Sequence, residues 1–233
     1  MSSPAWRKNW VTVKCDVARR LSDGEAGGSY AEAAILVCTT LSALSAELWE
    51  GRGIDRFRFI EALAQLGPNA SECRVISVPL LTQHLDNSQR GAEAILLRRA
   101  FSLPTSALVV TGPDVDQTED SVLLICPELE VAELRRFSYA SILYGEVRSS
   151  YAHTYKPGEK ADSWPMTMLA NQHVSYINRL NDGLEMQRLA HFHFDWLAGL
   201  AIELASVVDG LPDGLPRAQP QIWWVQGGPS NSL

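Results

Sequence analysis

The stretch LRRFSYASILYGEVRSSYAHTYKPG, residues 134–158, decides which fold the sequence predicts. Its apolar residues recur at steps of three, six, four and four residues, close to the spacing that places side chains on one side of a helix: Leu134, Phe137, Leu143, Val147 and Tyr151. This periodicity predicts one long helix over residues 134–155. Pro157-Gly158 then ends it, because proline cannot continue a helix and glycine readily leaves one. We therefore expect a mainly α-helical protein organised around this segment.

Three side chains near the end of the predicted helix carry chemistry. Arg148 supplies a fixed positive charge, His153 a group that gains or loses a proton near neutral pH, and Tyr155 a phenol. Together they suit cleavage of a phosphodiester without a metal ion. A structural interpretation is also open, since arginine is favoured near a helix C-terminus and tyrosines at helical spacing pack in cores.

The pattern Arg148-x4-His153-x-Tyr155 resembles the signature of the HEPN superfamily, which includes prokaryotic toxins, defence proteins and RNA-processing enzymes. The resemblance implies a helical bundle that pairs as a homodimer, with two motifs sharing one cleft. It implies a metal-independent endoribonuclease in which Arg148 holds the scissile phosphate and His153 acts as general acid or base. The products would carry 2',3'-cyclic phosphates. In the toxin branch, a nucleotidyltransferase antitoxin adds adenylate to the tyrosine that Tyr155 matches.

One position departs from the family pattern. Ser149 follows the arginine, where active members usually carry asparagine, aspartate or histidine. This departure leaves a second interpretation open, in which the chain is a non-catalytic HEPN-like module for dimerisation or binding.

Helix geometry separates the motif into two faces. Five residues of ideal helix turn a side chain by about 140°, so Arg148 and His153 share a face only where the helix distorts or ends. Glu146 and Ser149 are expected beside His153, as groups that orient it. The other face carries what we call the aromatic stripe: Tyr144, Arg148, Tyr151 and Tyr155. Exposed, it would be an unusual surface for a monomer, so it predicts a two-fold dimer.

Composition limits the class of protein. The chain has 233 residues, 46% of them hydrophobic, which is enough for one domain with a real core. A net charge of -7 argues against a broad basic surface, so an RNA substrate would have to be gripped locally in a cleft. The four cysteines are scattered without a CxxC pair, and Cys38 and Cys126 lie in apolar runs. Buried, reduced thiols and a cytoplasmic location are expected.

Neither the N-terminus nor the most apolar segment predicts insertion into a membrane. The first ten residues, MSSPAWRKNW, contain no apolar run typical of a signal peptide. The most apolar segment, residues 31–49, is interrupted by Glu32 and Glu47 and is short for a bilayer. It predicts a central core helix, and no membrane partner is expected.

Turn and cap residues divide the chain into a lead (1–28), a helical domain (29–210) and a tail (211–233). Ser29 and Glu32 predict a capping box for a helix to Trp49, and Asp55 predicts the cap of the next one. Residues 102–120 predict an exposed loop, available for partner contact or a mere surface insertion. Asn181-Asp182-Gly183 predicts a β-hairpin over residues 173–191. Further helices are predicted over residues 79–84, 89–101 and 194–208.

Two other groups of residues are candidate sites. His191 and His193, with His173 on the partner strand, have a spacing that can bind zinc and would make the chain a zinc-dependent hydrolase. No fourth ligand is evident, so we expect no metal or other cofactor. Trp223-Trp224 lie in a strand-like segment and could stack on bases. Since neighbouring strand residues point to opposite faces, one tryptophan is expected inside and one outside.

Overall fold

Helix α2, Tyr30–Leu48, forms the centre of the fold. The capping box predicted for it is confirmed: the Ser29 hydroxyl accepts from the backbone, and the Glu32 carboxylate accepts from the Ser29 N–H at 2.8 Å. The helix packs against the first, third and last long helices, and ten of its 19 residues are buried. By length and composition α2 would also suit a membrane span, but half of its most apolar stretch is buried within the fold.

The computed structural model describes residues 5–104, 107–163, 173–180, 186–211 and 215–228. Around α2 lie three other long helices, α1 (Trp6–Ser22), α3 (Asp55–Gln65) and α12 (Phe194–Asp209). The remaining α-helices are shorter: α4 (Ala70–Cys73), α5 (Val78–Asn87), α6 (Gly91–Ala100), α7 (Gly112–Val115), α8 (Glu119–Ile125), α9 (Val131–Leu134), α10 (Tyr139–Ile142) and α11 (Ser150–Thr154). Short 3-10 turns cover Glu25–Gly27, Arg135–Phe137 and Trp224–Gln226.

A three-stranded antiparallel sheet lies against α5. The predicted hairpin is confirmed as β2 (Val174–Leu180) and β3 (Met186–Phe192), paired in register from Val174 opposite Phe192 to Leu180 opposite Met186. Its turn, Asn181-Asp182-Gly183, falls outside the described residues. A third strand, β1 (Val109–Thr111), pairs with β2. The fold is thus mainly helical with a small sheet, as the sequence predicts.

The helix that carries Arg148 and His153 is shorter than predicted and is distorted. It spans residues 139–154, which we call the motif helix, because Ser138 adopts an extended conformation and caps it through the N–H of Ser141. Between α10 and α11 the backbone widens into a π-helix over Leu143–Ser149. Such π segments are rare in proteins, and those that occur often lie at functional sites. The motif helix ends where Tyr155 turns left-handed, at φ 57°.

Three other local predictions are wrong. Asp55 is the first residue of α3 and pairs with Arg58 at 2.5 Å, so it does not cap the helix. Residues 102–120, predicted as a loop, contain β1, α7 and the start of α8. The segment around Trp223-Trp224 is a 3-10 turn, and both indoles are buried, because an edge-on contact with Trp49 and a stack on Phe57 enclose Trp223.

One hydrophobic core runs through the described residues. It includes Val11, Cys15 and Ala18 of α1, and Trp223 and Trp224 near the C-terminus. The N-terminal and C-terminal segments therefore share the core of residues 29–210. All four cysteines are free and buried, as expected for Cys38 and Cys126.

Candidate functional site

The end of the motif helix is tied to the start of α2. Tyr155 is 57% exposed, yet its hydroxyl donates a hydrogen bond to the Glu32 carboxylate. Hydrogen bonds from Ser29 and then Tyr155 lower the pKa of Glu32 from 4.5 to about 2. Glu32 therefore serves as helix cap and as anchor for the phenol, an arrangement that the capping-box pattern alone did not predict.

Arg148 lies half-buried between the motif helix and α2. Its Nε donates to the Ser42 hydroxyl at 3.1 Å, and its guanidinium lies over the Tyr144 ring, with 5.3 Å between Cζ and the ring centroid. The buried Cys38 thiol lies close enough for Arg148 to oppose the rise of its pKa, which burial takes to about 12. Two neutral groups, a hydroxyl and a π face, thus orient the guanidinium.

No carboxylate among the described residues pairs with Arg148. Several other arginines with low exposure do have such partners: Arg7 with Glu47 and Asp209, Arg90 with Glu93 and Glu133, and Arg135 with Glu119. In a protein with 27 acidic residues against 20 Lys and Arg, a preorganised arginine without a counterion is a plain candidate for binding an external anion.

His153 is exposed on α11, one residue before the helix ends at Thr154. In the described part of the chain, no hydrogen bond or ion pair joins it to Arg148 or Glu146. The prediction that Glu146 lies beside His153 is therefore wrong. Instead the Glu146 carboxylate accepts from the Lys160 N–H at 3.1 Å and lies 3.8 Å from its ammonium group, because the chain folds back after Pro157.

That return of the chain depends on a glycine. The Gly158 N–H donates to the Glu146 carbonyl at 2.7 Å, and a Cβ at Gly158 would collide with the Glu146 side chain. Ser149, the last residue of the π segment, is half-buried. Its hydroxyl has no hydrogen-bond partner among the described residues. Among the described residues, no hydrogen bond or ion pair joins Glu146 or Ser149 to His153, so the orienting roles expected of them have no support here.

The predicted aromatic stripe is only partly exposed. Tyr151 is buried, which raises its pKa to about 12, and Tyr144 is half-buried with its ring edge-on to Phe59 at 5.4 Å. Only Tyr155 of the three tyrosines lies in solvent. The π segment and the packing on α2 turn Tyr151 inward, so the premise of an exposed stripe as the dimer surface is wrong.

The three histidines whose spacing could bind zinc have other partners. His193 Nε2 lies 2.8 Å from the Ser175 hydroxyl, and burial lowers the pKa of His193 to about 4. The His191 ring packs on Tyr30 at 4.7 Å, and His173 pairs with Glu72 at 3.5 Å. Within the described ranges, no group of three or more His, Cys, Asp or Glu side chains could hold a metal ion.

A buried polar network that the sequence did not predict lies under the sheet. Asp116 accepts hydrogen bonds from the hydroxyls of Tyr139 and Tyr176, both at 2.5 Å, and from the Val78 N–H at 3.1 Å. Burial nevertheless raises its pKa from 3.8 to about 7. Gly112 is required beside it, because a Cβ there would collide with the Tyr139 hydroxyl. The network joins α5, β2 and the start of the motif helix.

Comparison with known proteins adds no relative: no family model, curated protein or solved structure matches the chain. The candidate site therefore rests on its own geometry and on the Arg148-x4-His153-x-Tyr155 motif.

Proposed function

We propose that the protein is a metal-independent endoribonuclease of HEPN type, acting as a toxin or as a defence or stress effector. The observation that carries the proposal is the state of Arg148: a guanidinium held in place by the Ser42 hydroxyl and the Tyr144 ring, with no carboxylate partner among the described residues. A bidentate arginine is the side chain that best matches the oxygens of a phosphodiester.

In the proposed reaction the RNA supplies its own nucleophile. The ribose 2'-oxygen attacks the neighbouring phosphorus, a new O–P bond forms, and the bond to the 5'-oxygen of the next nucleotide breaks. His153 takes the proton from the 2'-hydroxyl or gives one to the leaving 5'-oxygen. Arg148 neutralises the charge that builds on the phosphoryl oxygens in the transition state.

Placement of the two residues supports a dimeric site. Arg148 is anchored against α2, whereas His153 lies at the exposed end of α11, and among the described residues no hydrogen bond or ion pair links them. Two copies related by a two-fold axis would bring the Arg148 of each near the His153 of the other and supply two imidazoles, one as acid and one as base. A homodimer of this kind would provide a local cationic cleft for RNA in an otherwise acidic protein.

The deciding experiment is cleavage of a generic RNA by the full-length protein in excess EDTA, with the ends of the products identified. The proposal expects 2',3'-cyclic phosphates, and loss of cleavage in Arg148→Lys and His153→Ala. Arg74→Lys is the matched control, because Arg74 is also half-buried and has no ion pair among the described residues. Light scattering on the same samples should give the mass of a dimer.

A non-catalytic HEPN-like scaffold is the second candidate. Three observations favour it: no hydrogen bond or ion pair joins Arg148 to His153 in the described part of the chain, a serine occupies position 149, and the net charge is -7. An absence of RNA cleavage by a well-folded dimeric wild type, together with intact dimers in both variants, would decide for the scaffold.

A further inference from the structure

A cavity of about 250 Å³ lies between α5 and the hairpin of β2 and β3. Helix α5 lines one side with Pro79, Gln83 and Asp86, which recur at helical spacing. Strand β3 lines the other side with Met186 and Arg188, which lie on one face of the strand. Met186 is 59% exposed, so the cavity reaches the surface. Its volume suits a small molecule, since sites for drug-sized ligands begin at roughly 300 Å³.

Arg188 brings a positive charge to this cavity without a counterion. The side chain is half-buried, no carboxylate among the described residues pairs with it, and burial lowers its pKa. Arg90 shows the usual arrangement, in which hydrogen bonds with Glu93 and Glu133 raise the pKa of the guanidinium. Burying an unpaired charge destabilises a fold, and groups with such perturbed environments concentrate at functional sites.

The guanidinium of Arg188 is held in place without being fully used. Its Nη1 donates to the Ala107 carbonyl at 3.1 Å, and its Nη2 donates to the Pro104 carbonyl at 3.0 Å. These bonds use two of the five N–H groups of an arginine, and the other three have no partner among the described residues. The Gln83 amide is fixed beside it, because its Oε1 accepts from the Arg188 backbone N–H at 2.8 Å. Both side chains can therefore donate to a bound anion.

The charges around the cavity favour a ligand with a single negative charge. Arg98 also lines the cavity but is ion-paired with Asp86, so these two charges cancel and only that of Arg188 is uncompensated. A dianion such as a phosphate would bring a second negative charge close to the Asp86 carboxylate. Pro79 and Met186 add apolar wall, which suits an organic body better than an inorganic ion.

We infer that the cavity beside Arg188 binds a small organic monocarboxylate. Its carboxylate would accept hydrogen bonds from the Arg188 guanidinium and the Gln83 amide, and its apolar part would pack against Pro79 and Met186. The planar guanidinium matches the two oxygens of a carboxylate, which makes the recognition specific for that group. The inference goes beyond the ribonuclease proposal and is independent of it, because the described lining of the cavity includes no residue of the motif helix.

The test is isothermal titration of the full-length protein with phenylacetate and with phenylacetamide, which has nearly the same shape and no charge. We expect phenylacetate to bind at least about tenfold more tightly, because only the carboxylate can pair with Arg188. Phenyl phosphate, a dianion at about pH 8, should bind no more tightly than phenylacetate. Binding of phenylacetate should persist in Arg148→Lys, which separates this cavity from the candidate ribonuclease site.

Gln83→Glu is the deciding variant. The new carboxylate keeps the acceptor for the Arg188 backbone N–H and gives the guanidinium an internal counterion. Thermal unfolding should therefore show a fold at least as stable as wild type, while phenylacetate binding weakens at least about tenfold. Arg188→Gln should weaken binding to the same extent. The matched control is Gln89→Glu, which adds the same charge at an exposed position and should leave binding unchanged.

Four results would overturn the inference. The first is no binding of phenylacetate up to about 10 mM. The second is equal binding of phenylacetamide, which would leave Arg188 only the role of anchoring the Pro104 and Ala107 carbonyls. The third is binding that Gln83→Glu and Arg188→Gln leave unchanged, or that Arg148→Lys abolishes, which would place the site elsewhere. The fourth is tighter binding of phenyl phosphate, which would make the ligand a phosphate.

Discussion

The Tyr155 hydroxyl donates a hydrogen bond to the Glu32 carboxylate, joining the end of the motif helix to the first turn of α2 across 123 positions of sequence. The same carboxylate caps α2 through Ser29. One acidic side chain thus fixes two helix ends beside the candidate site. The backbone at Tyr155 is left-handed, which is unusual for a residue with a side chain.

Replacing Glu32 with Gln should therefore destabilise the protein by about 1 kcal/mol near pH 7, the usual contribution of a helix cap. Because the pKa of Glu32 falls from 4.5 to about 2 on folding, its stabilisation is complete above pH 4.5 and is lost as the pH falls toward 2. Urea unfolding at several pH values should show the difference from wild type shrinking over that window. Glu50→Gln, at an exposed carboxylate, is the control; an equal loss there would contradict the prediction.

Asp116 should make stability fall with rising pH. Its pKa is about 3.8 when unfolded and about 7 when folded, so the folded state binds an extra proton between these values. The contribution of Asp116 to stability is therefore greatest below pH 4 and declines up to pH 7, by at most about 4 kcal/mol. Asp116→Asn should flatten this slope in denaturant unfolding from pH 4 to 8. A slope as steep in the variant as in wild type would assign the pH dependence to other groups.

Cleavage of RNA should depend on both residues of the motif. His153→Ala should slow it by about 10² to 10⁴, the usual contribution of general acid–base catalysis. Arg148→Lys should be severely impaired, because an ammonium group cannot form the bidentate contact or keep the stack on Tyr144. Single-turnover rates, with growth arrest on expression as a second readout, measure both effects. Variants as active as wild type would remove Arg148 and His153 from the mechanism.

Chelators should not affect the activity. The chemistry proposed for Arg148 and His153 needs no metal ion, so cleavage in excess EDTA should equal cleavage in buffer. Cleavage by the His193→Ala variant and elemental analysis of the purified protein should be measured alongside. Inhibition by EDTA that added zinc reverses would move the active site to the histidines at 173, 191 and 193.

Adenylation of Tyr155 should silence the protein if it is a toxin with a nucleotidyltransferase antitoxin. The phenol is accessible, and an adenylate on it would set a negative charge beside Glu32 and so break their hydrogen bond. Mass spectrometry should find the added mass on the peptide containing Tyr155 after co-expression, and Tyr155→Phe should escape it. Silencing without a mass change would show inhibition through a protein interface.

The sequence alone determined the features that depend on neighbouring residues. Helical spacing and the Ser29–Glu32 pair predicted α2, and alternating residues around Asn181-Asp182-Gly183 predicted the hairpin of β2 and β3. These signals are local, because caps, turns and side-chain periodicity act over a few residues. The same locality explains why the predicted start of the motif helix is wrong: the Ser138 hydroxyl bonds nearby backbone groups, and the helix begins five residues later than predicted.

Tertiary structure decided everything that depends on which segments meet. The motif named Arg148, His153 and Tyr155, but not the Ser42 hydroxyl that orients the guanidinium from 106 positions away, nor the separation of His153 from Glu146. Nor does any local pattern distinguish Tyr151, buried under the π segment, from Tyr155, which stays in solvent. Burial and charge pairing are set by the packing of distant elements, so the sequence identified the reactive groups and the fold determined which of them are free to react.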